Sequence, residues 1–273
     1  AAGIANRIEL VKLLIEHGAD PNDGETAYHM GEHEGVPAAA LVYPLLEPLH
    51  RGAALGHKLD YDDLEGLRRM LEAGGDPNGP TPFPNDPIHQ AVWRGRSRPF
   101  YDLLVEHGAD VNRPNRHGRT AYALAARAGQ RDTMEWLVEL GAHTDLTPPD
   151  DFLAACALGH EPAARVMLDN RPGLLESLSG TDRSVICEAA AGGNVDGLRT
   201  MLALGWDLHT RGNVWGETPL HRAAMAGEAD AVEFLLAQGA DRQLRDRSYD
   251  STAAGWAAHG GHAALERRLT SGI

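Results

Sequence analysis

His29, Glu32 and His33, in the stretch AYHMGEHEG at 27–35, have the H-x-x-E-H spacing of inverted zinc proteases. On one turn of helix, the two imidazoles could hold Zn²⁺ while the carboxylate activates a bound water. His259 and His262, in HGGH, also have metal-like spacing. Asp60, Asp62, Asp63 and Glu65 form an acidic run that could hold calcium or sit at a helix start, where carboxylates oppose the positive dipole end. No G-x-S-x-G, G-x-x-x-x-G-K-[ST] or C-x-x-C occurs. A motif counts only in its structural context, so the elements carrying these residues decide what they do.

The 273 residues carry a formal charge of −14, from 25 Lys and Arg against 39 Asp and Glu. Such a surface repels nucleic acid and anionic lipid as a whole. Cys156 and Cys187 are too few for a disulfide framework and lie in alanine-rich apolar segments. They read as buried, reduced thiols of a cytoplasmic protein. The longest apolar stretch, PAAALVYPLL at 37–46, is too short to span a bilayer. The start, AAGIANRIEL, lacks an initiator Met and the features of a signal peptide, and reads as a cut through a longer sequence.

Self-similarity supplies the frame. LLIEHGADPN, MLEAGGDPN, LLVEHGADVN, WLVELGAHTD and FLLAQGADRQ are one element repeated. Taking Gly18, Gly52, Gly74, Gly108, Gly141, Gly173, Gly205 and Gly239 as helix ends gives steps of 32 to 34 residues with one short step of 22. A period near 33 means that each unit is stabilised by its neighbours. In GETPLHRAAMAGEADAVEFLLAQGAD, 216–241, Thr218 is placed to cap a helix, and Pro219 suits its first position. Leu220, Ala223 and Ala224 form a narrow apolar face ended by Gly227. Ala231, Val232, Leu235 and Leu236 then give a second helix closed by Gly239.

These G-x-T-P-L-H-x-A-A-x-x-G and L-L-x-x-G-A-D patterns resemble those of ankyrin-repeat proteins over nearly the whole chain. The resemblance implies an all-α solenoid of about nine helix–turn–helix units with short β-hairpin fingers. It forms a single domain over 1–273, with a truncated first repeat and an irregular segment at 36–62. In the short step, Pro44 and Pro48 forbid a regular second helix, and a bent helix with a missing finger is expected. Leu153 and Cys187 replace the histidine of T-P-L-H, so bracing in those repeats must come from elsewhere.

In this register His29 falls on the T-P-L-H histidine and His33 on a variable position, while Gly31 weakens the helix that metal binding would need. The resemblance gives His29, like His89 and His221, a structural role, and His262 likewise. No metal, cofactor or catalytic residue is expected.

The resemblance also implies that partners meet the finger tips and the two residues before the glycine ending each first helix. Those positions hold Trp93 with Arg94, Arg127 with Ala128, and Met225 with Ala226. Phe83, His117, Trp215 and Tyr249 recur at one tip position, although aromatics are only 5% of the chain. Arg116 and Arg119 flank His117. The fourth and fifth repeats are the expected main surface, because arginines 94, 96, 98, 113, 116 and 119 outnumber the acids between them. Arginine beside aromatic rings favours an acidic protein segment over nucleic acid. The reading is a non-enzymatic, monomeric, cytoplasmic protein–protein interaction scaffold with no membrane contact, of bacterial type by its alanine and arginine content. Two alternatives stand: the recognition arm of a larger enzyme or effector whose catalytic domain lies upstream, and a zinc metallohydrolase using His29, Glu32 and His33.

Overall fold

The computed structural model describes residues 8–22, 41–212 and 215–271; His29, Glu32 and His33 lie outside them. The chain divides into two compact units, Ala1–Ala125 with Asp132–Thr144, and Ala126–Arg131 with Asp145–Ile273. Within each, short helices follow one another in pairs. The first unit contains Pro48–Asp60 with Leu64–Glu72, and Pro87–Trp93 with Arg98–Glu106. The second contains Pro148–Ala157 with Glu161–Asn170, Val185–Ala191 with Val195–Ala203, Pro219–Ala226 with Ala229–Ala237, and Ala253–His259 with Ala263–Thr270. The fold is the helical repeat architecture that the resemblance implies.

The expected β-hairpin fingers are hydrogen-bonded loops. Among the described residues the only bridge is Arg245 with Thr252, antiparallel. Three of these loops are drawn together by a backbone bond of their own, Asn115 N to Arg119 O at 2.8 Å, Gly212 N to Glu217 O at 2.7 Å, and Asp246 N to Ser251 O at 2.9 Å.

Helices of seven to ten residues are marginal in water, so bonds between repeats must hold them. The Asn that ends the G-G-D-P-N run at 74–78 and the G-A-D-V-N run at 108–112 supplies a pair. Asn78 donates through Nδ2 to Gly108 O at 2.7 Å and accepts from Asp110 N at 2.8 Å. Asn112 does the same to Gly141 O and His143 N, at 3.0 and 2.7 Å. His221 supplies the other brace. Thr218 Oγ1 donates to its Nδ1 at 2.7 Å, and its Nε2 donates to Ser251 O at 3.1 Å. His262 Nε2 likewise donates to Met225 O at 3.1 Å, a structural use of the HGGH motif. Asp63, from the acidic run, N-caps Leu64–Glu72 by accepting from Gly66 N, and pairs with buried Lys58 at 2.6 Å.

Two expectations about the short step need correction. Gly52 ends no helix; it lies inside the regular, largely buried helix Pro48–Asp60, which starts at Pro48 because the first position needs no N–H. The only irregular turn described there is the 3₁₀ segment Tyr43–Leu45, and just Leu46 and Glu47 separate it from Pro48, leaving no room for a finger. Gly52 is glycine for closeness. A Cβ on it would lie 2.1 Å from Pro80 O, and one on Gly56 would touch the Phe83 ring at 3.4 Å. The two form a flat track, one helical turn apart, on which the loop around 80–83 rests. Gly52→Ala is therefore expected to destabilise the first compact unit by about 2 kcal/mol in urea unfolding, because overpacking exceeds the gain in helix propensity. An unobstructed helical glycine would give stabilisation instead.

His89 sits in the same register as His221 but is fully buried with the backbone carbonyls of Arg113 and Arg119, rather than a capping hydroxyl, as its polar neighbours. Burial pushes its pKa down, so the neutral ring is the one buried. The cause lies three residues earlier. Asp86 stands where Thr218 caps, carries no hydroxyl to donate, and turns to Arg113 Nε at 3.2 Å. Asp86→Thr should supply a hydroxyl donor to the ring and stabilise the fold by about 1 kcal/mol, since Arg113, with its side chain 43% exposed, keeps solvent and the Asn78 carbonyl when the ion pair is removed. A lowered thermal midpoint in this variant would refute the account.

Candidate functional site

The last two complete repeats of the second compact unit form a groove of about 500 Å³, most of its lining apolar. Trp215 comes from the loop before Pro219–Ala226, and Arg222 and Met225 from that helix. Tyr249 and Ser251 come from the next loop, and Gly255, Trp256 and His259 from helix Ala253–His259. Three residues expected from the sequence, Trp215, Met225 and Tyr249, are thus brought together.

The loop is held from beneath by buried Asp246. Its Oδ1 accepts from Ser248 N and Tyr249 N, and its Oδ2 from Ser251 N and from Trp256 Nε1 at 2.9 Å. Burial pushes the carboxyl up, but these donors more than offset it and hold its pKa below the usual carboxylate range. Trp256 is thereby locked, and it packs edge-on against Trp215 at 5.7 Å and His221 at 5.6 Å. Tyr249, held through its backbone, leaves its side chain in water, the residue being 67% exposed. Glu217 Oε2 accepts from Trp215 N at 3.0 Å and fixes the opposite wall. Arg222 reaches Glu188 Oε2 at 3.2 Å, while its buried Nε has no hydrogen-bond partner among the described residues.

Sequence reading missed Trp256, Arg222 and Ser251. The signal was present: counted back from Gly227 and Gly261, Gly255 occupies the slot of His221, and Trp256 that of Arg222. Losing the imidazole opens the groove floor, and gaining the indole builds its wall.

In the first compact unit, Trp93 is 57% exposed with Arg94 Cζ 4.1 Å over its ring. The arginines nearby are engaged within the protein. Arg94 pairs with Asp60 at 2.7 Å, Arg96 with Asp62 at 2.7 Å, and Arg98 with Glu139 at 2.5 Å. Arg116 donates to the carbonyls of Thr81 and Pro82. Phe83 packs edge-on to His57 at 5.6 Å over Gly56, covering its own loop. His117 and Arg119 lie in the loop closed by Asn115, whose Oδ1 accepts both their amides.

Arg127 does not lie on the surface. It is 7% exposed and bridges Asp150 at 2.6 Å and Asp182 at 2.8 Å. Thr147 Oγ1 and Ser179 Oγ donate to the same two carboxylates, each from a helix N-cap. These are the repeats whose histidine is replaced by Leu153 and Cys187, so a buried charge network provides the bracing there. Cys156 and Cys187 are buried, and burial pushes both thiols up, Cys156 to about 12. Among the described residues no group of three His, Cys, Asp or Glu could hold a metal, and no helix is long and apolar enough to cross a membrane.

Arg127→Met should cost about 3–5 kcal/mol, because two buried carboxylates lose their counter-charge. Denaturant unfolding of this variant tests that; a change within about 0.5 kcal/mol would return Arg127 to the surface class.

Models of ankyrin repeats match residues 186–236 (many copies), 49–148 (3 copies) and 1–26 (a single repeat), together more than half of the chain. The E3 ubiquitin-protein ligase KEG of Arabidopsis thaliana is 30% identical over 132 residues, which are 48% of this chain and 7% of that protein. Neurogenic locus notch homolog protein 1 of Mus musculus is 27% identical over 156 residues, 51% of this chain and 6% of that protein. The chain therefore spans less than a tenth of the length of these curated relatives. The crystal structure of the human ASB11 ankyrin repeat domain has 23% identity and a TM-score of 0.37, covering 79% of this chain and 95% of that one.

Proposed function

This chain belongs to the ankyrin-repeat family, whose repeats are generally protein–protein interaction modules, and from that premise we propose that it binds a protein partner through the groove between Trp215 and Tyr249. The observation carrying the proposal is the convergence of Trp215, Met225, Tyr249 and Trp256 on one open cavity of about 500 Å³. That volume lies in the range of specific ligand sites, and Trp and Tyr are enriched among residues that dominate binding energy. A tyrosine left mostly in water by a loop so tightly bonded is a ready anchor.

The Trp93 surface is the weaker candidate. Its arginines are already paired to acids or carbonyls, so they offer little net charge to an acidic segment. A cytoplasmic, monomeric, non-catalytic scaffold remains our reading of the chain. The recognition-arm alternative is favoured by one fact: in KEG and the notch homolog the matching stretch is a small part of a far longer protein.

Selection of peptides from a random display library on the immobilised chain tests the groove. Tyr249→Ala with Met225→Ala should weaken the selected peptides by roughly 30-fold, about 2 kcal/mol, with thermal unfolding unchanged. Retention of the same peptides by this variant, with loss in Trp93→Ala, would move the contact to the first compact unit.

A further inference from the structure

We infer that the groove's occupant is a short peptide segment presenting an apolar side chain beside a carboxylate, with the carboxylate seated on Arg222. The inference rests on the groove being the contact surface and adds the chemistry of what fills it.

The apolar half follows from the walls. Trp215 and Trp256 meet edge-on at 5.7 Å, Met225 adds a deformable thioether, and Gly255 contributes no side chain to the floor. Such a surface accepts an aromatic or branched side chain from a partner.

The carboxylate half follows from which charges are spoken for. Asp246 accepts four hydrogen bonds beneath the loop, and Glu217 is buried and accepts from Trp215 N. A cationic occupant would find both acids committed. Arg222 is the reverse case. A guanidinium has five donors in a planar fork. Its contact with Glu188 is a single Nη2 bond at 3.2 Å with the partner side chain 49% exposed, a geometry that solvent screens. Its Nε–H faces no acceptor among the described residues. Arg222 lines the groove with its side chain 23% exposed, so a carboxylate that enters with the ligand can take the edge of the fork with two bonds as the side chain turns its unmet Nε–H toward it. Exposed His259 at the rim brings no negative charge to oppose it.

Isothermal titration of the full chain with three capped peptides, alike except for a central Phe-Asp, Phe-Asn or Phe-Lys, tests both halves. Phe-Asp is expected to bind about tenfold more tightly than Phe-Asn. Glu188→Gln should widen that ratio by removing the internal competitor, and Arg222→Gln should abolish it while Phe-Asn still binds. Equal affinity for Phe-Asp and Phe-Asn overturns the inference and leaves the groove reading standing. Preference for Phe-Lys overturns it with the opposite sign. No saturable binding of any of the three overturns the inference and the groove reading together.

Discussion

Among the described repeats, the helices of seven to ten residues cannot hold themselves. Pro87–Trp93, Val185–Ala191 and Ala253–His259 are each seven residues long, below the length at which a helix survives alone in water. Their backbones are ordered only because the next repeat supplies contacts and directed bonds. Asn78 and Asn112 serve this need with side-chain amides, which can donate and accept at once across a repeat boundary. Where the amide is replaced by His209, only the acceptor half survives: Asp241 N donates to its Nε2 at 3.2 Å. Where the T-P-L-H histidine is replaced by Leu153 and Cys187, buried Arg127 takes over with charge. The requirement is constant, and its chemistry is interchangeable.

Such interchange explains what the sequence disclosed. Period, helix pairing and the structural use of His221 and His262 could be read because they repeat, and repetition separates rule from accident. The place of the acidic run at a helix start could be read too, though not that Asp63 is the residue that caps it. Arg127 could not. It occupies a position that varies among repeats, and only the coordinates bring Asp150 and Asp182, 23 and 55 residues away, to its two nitrogens. Gly52 misled for a related reason. A glycine that permits positive φ and one that admits a neighbouring backbone are the same letter, and Gly52 is the second kind while Gly74, at φ 89°, is the first.

The surface arginines teach the same lesson about charge. Counting six of them among three acids suggested a positive patch, but Asp60, Asp62, Asp86 and Glu139 lie outside that window in sequence and beside it in space. A local charge count omits partners one repeat away, which is where Asp60, Asp62, Asp86 and Glu139 stand.

The groove follows from a local breach of the repeat rule. In the eighth repeat His221 fills the space after the cap and holds the loop through Ser251 O. In the last repeat that slot holds Gly255, and the same loop, already held by His221 through Ser251 O, is tied a second time by Trp256 Nε1 bonded to Asp246. One substitution leaves no side chain on the groove floor and the adjacent one adds an aromatic wall. A repeat that obeyed the pattern would have neither the opening nor the second indole. The departures from the consensus are therefore where binding chemistry is available, because positions bound by the rule are already consumed in holding the next repeat.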